Sequence, residues 1–144
     1  PMDIGTTYCT TTPNSTGANG AISAFGETSV AANDVTLTAS SLPPGQFGIF
    51  ITSETTGFVP GAGGTSNGNL CLGGQIGRYV GPGEILPADA MGEFSLSLDL
   101  TMIPQGTGTV SAMAGVPRSW QAWHRDSVGL GSNFTNGITI DFTP

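Results

Sequence analysis

The sequence predicts an all-β protein folded as a two-sheet antiparallel sandwich. Three observations support this prediction: apolar and polar residues alternate along the apolar segments, 23 glycines and 10 prolines interrupt those segments, and long runs of helix-forming residues are absent. Alternation with a period of two places apolar side chains on one face of a strand, and glycine and proline favour turns between strands. We expect about eight short strands in an immunoglobulin-like or jelly-roll arrangement.

Length and composition favour a single domain. A chain of 144 residues is long enough to bury most of its unfolded surface in one core, so we assign residues 1–144 to one β-sandwich domain. The sequence begins with Pro1 and contains no recognisable signal peptide, which indicates a mature, processed chain.

The first strand is predicted within residues 1–10. Met2, Ile4, Thr6 and Tyr8 occupy alternate positions, so their side chains share one face of an extended segment. Such a segment forms either an edge strand of its own sheet or a strand exchanged with a neighbouring subunit, because an exposed sheet edge accepts a strand from another chain. These four residues are therefore candidate subunit contacts.

Seven further segments are predicted to be strands from their apolar patterns. In chain order they cover residues 22–25, 35–39, 47–51, 70–80, 93–102, 120–125 and 138–142. Turn-forming residues separate them, notably Pro43-Pro44-Gly45 and Asn136-Gly137. The clearest alternation lies in 93–102, where one face consists of Phe94, Leu96, Leu98, Leu100 and Met102. Residues 54–69 are rich in glycine and lack periodicity, so they form either an exposed functional loop or a hairpin extension.

The two cysteines, Cys9 and Cys71, predict a structural disulfide. No Cys-x-x-Cys motif and no histidine cluster accompanies them, which disfavours metal binding and redox chemistry. A disulfide implies an oxidising compartment. The alternative is two separate buried thiols, which the polar residues around Cys9 disfavour.

Basic residues are scarce in this chain, and this limits its partners. Lysine is absent, three arginines and one histidine are present, and the net charge is −7. Nucleic acids and anionic membrane surfaces bind clustered Lys and Arg, so both are excluded as partners. No apolar run approaches the roughly 18 residues of a membrane span. The absence of lysine also excludes the isopeptide cross-links of covalently assembled pili.

No catalytic constellation is recognisable, and we predict a non-enzymatic protein with no cofactor and no metal. His124 is the only histidine, and the one Gly-x-Ser-x-Gly match, residues 64–68, lies in a glycine-rich segment without the strand and helix that would present a nucleophile. The spacing of the carboxylates selects no pair for glycoside hydrolysis, and no calcium-binding loop pattern occurs.

Trp120 and Trp123 are candidate glycan-binding residues. Their spacing of three places them on opposite faces of a strand, so one is expected in the core and the other at the surface. A surface tryptophan beside Gln121 and Arg125 suits a carbohydrate ring, whereas the alternative is a tryptophan that packs at an edge or interface. Asn14 and Asn133 each begin an Asn-x-Ser/Thr acceptor pattern and are candidate N-glycosylation sites.

Three motifs together resemble a β-sandwich module found at the C-termini of large secreted bacterial proteins. They are Tyr8-Cys9 followed by Pro13-Asn14-Ser15-Thr16-Gly17, then Leu70-Cys71-Leu72-Gly73-Gly74, and finally Trp123-His124-Arg125-Asp126. The resemblance covers nearly the whole chain. It implies a β fold, pairing of Cys9 with Cys71, and an extracellular or surface location, and it implies no activity.

These features lead us to expect a secreted, non-enzymatic structural protein. Its most favoured partner is itself, as the subunit of a self-assembling filament or surface array joined by strand addition. The alternative is a secreted carbohydrate-binding or cell-surface adhesion module whose partners are glycans.

Overall fold

A computed structural model of the protein describes residues 2–144 and confirms the antiparallel all-β fold with one disulfide. Pro1, the first residue of the predicted segment 1–10, lies outside the described residues. The described part contains fourteen strands, more than the eight or so predicted, because several are only two or three residues long. The strands are β1 (Met2–Ile4), β2 (Thr6–Tyr8), β3 (Ala21–Gly26), β4 (Val35–Ser40), β5 (Phe47–Ser53), β6 (Thr55–Val59), β7 (Leu70–Gly73), β8 (Gly77–Arg78), β9 (Leu86–Pro87), β10 (Phe94–Ser97), β11 (Ile103–Pro104), β12 (Thr109–Val110), β13 (Arg118–Arg125) and β14 (Ser132–Ile140).

Two sheets form the sandwich. The first sheet has the strand order β1-β3-β4-β10, and the second has the order β2-β14-β13-β5-β8, with β9 also paired to β5. Two separate hairpins, β6–β7 and β11–β12, lie outside these sheets. All the strand pairings are antiparallel, as the alternating sequence pattern predicts.

The main hydrophobic core lies between the two sheets. Alternate residues of β4 are buried, as expected for a strand with one face on the core and one in solvent. The rings of Phe50 and Phe94 meet across the sandwich edge to face, with centroids 5.2 Å apart. The fully buried side chains of the main core include Leu37, Ala39, Phe50, Trp120, Ala122 and Ile140.

The second sheet is buried on its other face as well. Ile49 and Ile51 of β5 point away from the main core and pack with Leu72 and Phe134 under the β6–β7 hairpin. Burial on both faces explains why β5, β13 and β14 contain long runs of buried residues instead of strict alternation. The molecule is therefore layered as first sheet, main core, second sheet, smaller core and hairpin.

The segment 54–69 is largely the hairpin extension, one of the two structures that the sequence allows. Strand β6 pairs with β7, and a short 3₁₀ turn at Pro60–Gly63 follows β6. A register shift between Thr56 and Val59 and exposure of most of β6 remove the alternation that would have identified a strand.

The predicted strand 93–102 is shorter than expected, and this prediction was wrong beyond Ser97. Leu98 and Leu100 remain buried, but the Asp99 carboxylate accepts hydrogen bonds from the Thr101 backbone N–H at 2.9 Å and from the Thr101 hydroxyl at 2.6 Å. These local bonds form a turn that competes with strand pairing. Met102 is consequently 60 % exposed and does not join the predicted apolar face.

Candidate functional site

The predicted subunit-contact residues lie on the edges of both sheets. Met2 and Ile4 belong to β1, which pairs with β3, whereas Thr6 and Tyr8 belong to β2, which pairs with β14. The chain crosses between the sheets at Gly5, whose φ of 83° suits glycine. The four residues therefore lie on two short edge strands and not on the single continuous strand that their alternation predicts. We refer to residues 2–8 as the N-terminal segment.

The N-terminal segment is held by few buried contacts. Met2 is 70 % exposed, and Asp3, Thr6 and Thr7 are also exposed. Ile4 and Tyr8 are its partly buried side chains, and Ile4 packs against the main core. The segment is thus attached chiefly by backbone pairing.

Tyr8 fixes the end of the N-terminal segment nearest the body of the protein. Its ring lies against Gly137, where a Cβ atom would overlap the ring. Its hydroxyl donates a hydrogen bond of 2.7 Å to the carbonyl oxygen of Cys71. Burial raises the pKa of the Tyr8 hydroxyl above its ordinary value, which keeps the hydroxyl protonated as a donor.

The disulfide between Cys9 and Cys71 confirms the predicted pairing. Its Cα atoms are 6.3 Å apart, and it joins residues separated by 62 positions. Cys9 follows directly after β2, and Cys71 lies buried in β7. The bond therefore fastens the chain at the point where the N-terminal segment meets the rest of the domain.

A groove lies on the outer face of the second sheet, beside Trp123. Trp123 pairs with Ile49 across β13 and β5, and Phe47 lies two positions before Ile49 on the same face. Gly48, between them, faces the main core, where a Cβ atom would lie 2.7 Å from the Phe94 ring. The groove has a volume of about 180 Å³, and Ile85, His124 and Arg125 complete its lining.

The groove combines exposed apolar surface with one positive charge. Phe47 and Ile85 are each 53 % exposed, which is unusual for large apolar side chains that lie together. Trp123 is partly buried and stacks on Phe134, with ring centroids 6.0 Å apart and planes 12° apart. Arg125 is exposed, and the described residues place no carboxylate in an ion pair with it.

Trp120 lies on the opposite face of β13, as the spacing predicts. It is completely buried in the main core, and its indole N–H donates a hydrogen bond of 3.1 Å to the hydroxyl of Tyr79. Burial is the main cause that raises the pKa of Tyr79 to about 12. Trp120 therefore has no exposed ring face for a glycan, and of the two tryptophan candidates Trp123 reaches the surface.

Neither candidate glycosylation site has an accessible amide nitrogen in the folded protein. Asn14 is buried, and its Nδ2 donates a hydrogen bond of 2.8 Å to the Ser41 carbonyl oxygen. Asn133 is also buried, and its Nδ2 donates to the carbonyl oxygens of Thr12 and Pro13 at 3.2 and 3.3 Å. Both asparagines serve to connect loops, and a glycan on either nitrogen would break these bonds.

His124 also lines the groove, although nearly all of the residue is buried. Its Nδ1 is 2.8 Å from the carbonyl oxygen of Arg125, and its Nε2 has no hydrogen-bond partner among the described residues. Burial lowers the pKa of His124, against smaller opposing effects of the Arg125 carbonyl and of Asp126. The side chain is therefore neutral at pH 7. Its nearest carboxylate, Asp126, accepts hydrogen bonds from the backbone of Ser15 and Ser127.

Residues 2–144 contain no group of three or more His, Cys, Asp or Glu side chains arranged to hold a metal ion. Within the same residues, no helix has the length and apolar character needed to cross a bilayer.

Phe47 and Ile85 were not identified as site residues from the sequence. Phe47 alternates with Ile49 and Ile51, which gave it the pattern of a core residue. The β6–β7 hairpin covers Ile51 and leaves Phe47 exposed. The two residues therefore differ only in whether the hairpin packs over them. Ile85 lies between the Gly-Pro-Gly segment at residues 81–83 and β9, where no periodicity marks it.

Comparison with known proteins adds no assignment. No protein-family model, no curated protein and no solved structure matches this chain.

Proposed function

We propose that this protein is a secreted, non-enzymatic structural subunit that forms a filament or surface array by exchanging its N-terminal segment between neighbouring copies. The observation that carries the proposal is the placement of residues 2–8 on an edge of both sheets. Each half of the segment completes one sheet of the sandwich. A segment from a second copy, placed in the same position, would join two subunits through both sheets.

The contacts of the segment favour exchange at low cost. It pairs with the body through six opposed residues, three on β3 and three on β14, and most of its side chains are exposed. The same backbone pairs would form between copies, so exchange loses no type of backbone contact. The equilibrium then depends on protein concentration and on the additional contacts between the bodies.

The disulfide defines what can be exchanged. Because Cys9 is bonded to Cys71, Tyr8 and the residues after it remain with their own subunit. The six residues from Met2 to Thr7 span at most about 20 Å when extended, at roughly 3.3 Å per residue. This reach limits the partner to an adjacent copy in direct contact.

The symmetry of such a contact allows continuous growth. Each subunit would donate one segment and accept one at a different surface, which is a heterologous contact. Heterologous contacts form rings when the rotation closes and open filaments when it does not. A structural disulfide supports an extracellular, oxidising location for the assembly.

Cysteine cross-linking tests the exchange directly. Asp3 and Phe25 lie opposite each other across β1 and β3, and both are exposed on the outer face of the first sheet. The variant Asp3→Cys/Phe25→Cys brings two thiols together whichever copy supplies β1. The matched control is Thr38→Cys/Ser95→Cys, because these residues are opposite each other within the body and their hydroxyls are 2.8 Å apart.

The expected result is a ladder of disulfide-linked oligomers from the first variant on non-reducing gels, and monomers with an internal cross-link from the control. Electron microscopy of the same oxidised sample should show filaments or arrays. If the first variant forms only internal cross-links at every protein concentration up to the solubility limit, the segment stays with its own subunit and the proposal fails.

A further inference from the structure

We propose that the groove beside Trp123 binds one sugar residue that carries a carboxylate, a hexuronate unit of an acidic polysaccharide. The apolar face of the sugar ring would lie against Trp123 and Phe47, and its carboxylate would pair with Arg125. This inference does not depend on segment exchange, because the groove lies on the outer face of the second sheet and contains no residue of the N-terminal segment.

The groove exists because the hairpin covers only part of an apolar sheet face. Under the hairpin, Ile51 and Phe134 are buried by Leu72. Beyond its reach the same face continues through Ile49 to Phe47, which is exposed. Removing a large apolar side chain from water is energetically favourable. The exposed end of this sheet face is therefore suited to a ligand with an apolar surface.

The groove is preorganised for a flat ligand. Stacking on Phe134 orients the Trp123 ring, whose buried indole nitrogen has no hydrogen-bond partner among the described residues. The pairing of β13 with β5 sets the distance between Trp123 and the strand that carries Phe47. Rigid aromatic side chains bind with little loss of conformational entropy.

The size of the groove favours a single ring. Its volume of about 180 Å³ is below the range of roughly 300–1,000 Å³ that is typical of sites for drug-sized molecules. A pyranose ring has one apolar face that suits an aromatic side chain, whereas an extended peptide or acyl chain requires a longer channel. One sugar unit of a longer polysaccharide could occupy the groove while its neighbours remain in solvent.

Arg125 determines the charge of the expected ligand. The chain carries a net charge of −7 with only three arginines. Arg118 is buried and is 3.6 Å from Glu54, and Arg78 does not line the groove. Arg125 is thus a positive group at an apolar groove in an otherwise acidic protein, and a guanidinium pairs with a carboxylate through two parallel hydrogen bonds.

Two trisaccharides that differ only at C6 test the proposal. Cellotriose is the neutral probe, and its C6-oxidised counterpart, a β-1,4-linked glucuronate trimer, is the acidic probe. Binding is measured by isothermal titration calorimetry at low and high salt, and by the fluorescence of Trp123 in a Trp120→Phe background. We expect saturable binding of the acidic trimer, weakened by salt, and at least tenfold weaker binding of cellotriose.

Variants of two of the exposed lining residues, Arg125 and Phe47, separate binding from folding. Arg125→Gln should weaken binding of the acidic trimer roughly tenfold or more, and Arg125→Lys should retain part of it. Phe47→Ser removes an exposed ring and should weaken binding without loss of the folded state. The control is Arg78→Gln, which removes the same charge at a position outside the groove.

Four results would overturn the proposal. The first three are equal binding of the neutral and acidic trimers, no binding of the acidic trimer at millimolar concentration, and equal loss of binding in Arg78→Gln and Arg125→Gln. An Arg125-dependent preference for a carboxylate-bearing peptide over both sugars would also overturn it.

Discussion

The ring of Tyr8 occupies the space that a side chain at Gly137 would need. The two residues are directly opposite each other in the pairing of β2 with β14, and a Cβ atom at Gly137 would overlap the Tyr8 ring. Because Gly137 has no side chain, the Tyr8 ring can pack directly against its backbone. This relationship fixes the register in which the N-terminal segment meets the second sheet.

We expect Gly137→Ala to displace Tyr8 and to lower the free energy of unfolding by about 1–3 kcal/mol, the usual cost of forcing an extra methyl group into a packed site. The double variant Gly137→Ala/Tyr8→Ala should recover part of this loss, because it removes the overlapping ring. Urea denaturation measures both. Gly106→Ala is the control, since the nearest atom to a Cβ there is 4.0 Å away. Equal effects at the two glycines would contradict the packing argument.

Removal of the disulfide should destabilise the fold strongly. The bond joins residues 62 positions apart, and closing a loop of this length contributes roughly 4 kcal/mol in the chain-entropy account. Cys9→Ala/Cys71→Ala and the reduced wild-type protein should therefore unfold at similar, much lower urea concentrations than the oxidised protein. An unchanged denaturation midpoint after complete reduction would show that the bond does not contribute to stability.

Tyr79 should make the protein sensitive to alkali. Its pKa is raised to about 12 in the folded state, whereas a tyrosine in an unfolded chain ionises near pH 10. The resulting stability is fully present below pH 10 and is lost as the pH rises from about 10 towards 12, because the unfolded state releases the proton more readily. Denaturation midpoints measured across this range, together with tyrosinate absorbance, test the prediction.

Tyr79→Phe separates the hydrogen bond of Tyr79 from its ionisation. At pH 7 it leaves the indole N–H of Trp120 without an acceptor in the core, which should cost about 1–3 kcal/mol. Above pH 10 the variant should lose less additional stability than the wild-type protein. Two results together would contradict this prediction: wild-type stability of the variant at pH 7, and a loss of stability above pH 10 as large as that of the wild-type protein.

His124 should destabilise the fold when it becomes protonated. Burial lowers its pKa in the folded state, so the unfolded chain binds a proton more readily than the folded one below the ordinary histidine pKa of 6.5. The free energy of unfolding is therefore expected to fall as the pH falls below about 6.5. His124→Gln, which cannot be protonated, should lose less stability between pH 6.5 and pH 5. A parallel pH dependence in both proteins would contradict this assignment.

Several features set by local pattern were predictable from the sequence, and features set by layering were not. Local pattern also failed in two places: the alternation of 93–102 runs past the turn at Asp99, and Asn136-Gly137, expected between strands, lies within β14. The alternation of Val35 and Leu37 predicted β4, and the spacing of Trp120 and Trp123 predicted their opposite faces. In contrast, the crossing at Gly5 depends on two sheets that the local sequence does not describe. The alternation of residues 2–8 fits one strand or two equally well. The alternation shows which side chains share a face, but it does not show which sheet the backbone pairs with.

The candidate groove shows the same limit. Phe47 and Ile51 have the same periodic position on β5, yet one is exposed and the other buried, because the hairpin covers only one end of the strand. The sequence contains both the strand and the hairpin, but the extent of coverage follows from their three-dimensional packing. Trp123 could be nominated as a surface aromatic from its spacing, whereas its partners Phe47 and Ile85 could not.

The burial of the second sheet on both faces also determines which strand is the last to unfold locally. The central strand β13 is hydrogen-bonded on both edges, to β5 and β14, and its side chains are covered by the main core on one face and by the smaller core on the other. Amide hydrogens in such a strand exchange with solvent only through the largest unfolding events. Hydrogen–deuterium exchange should therefore be slowest in the middle of β13 and fastest in β1, which makes the N-terminal segment a separate unit of local opening on a slowly exchanging body.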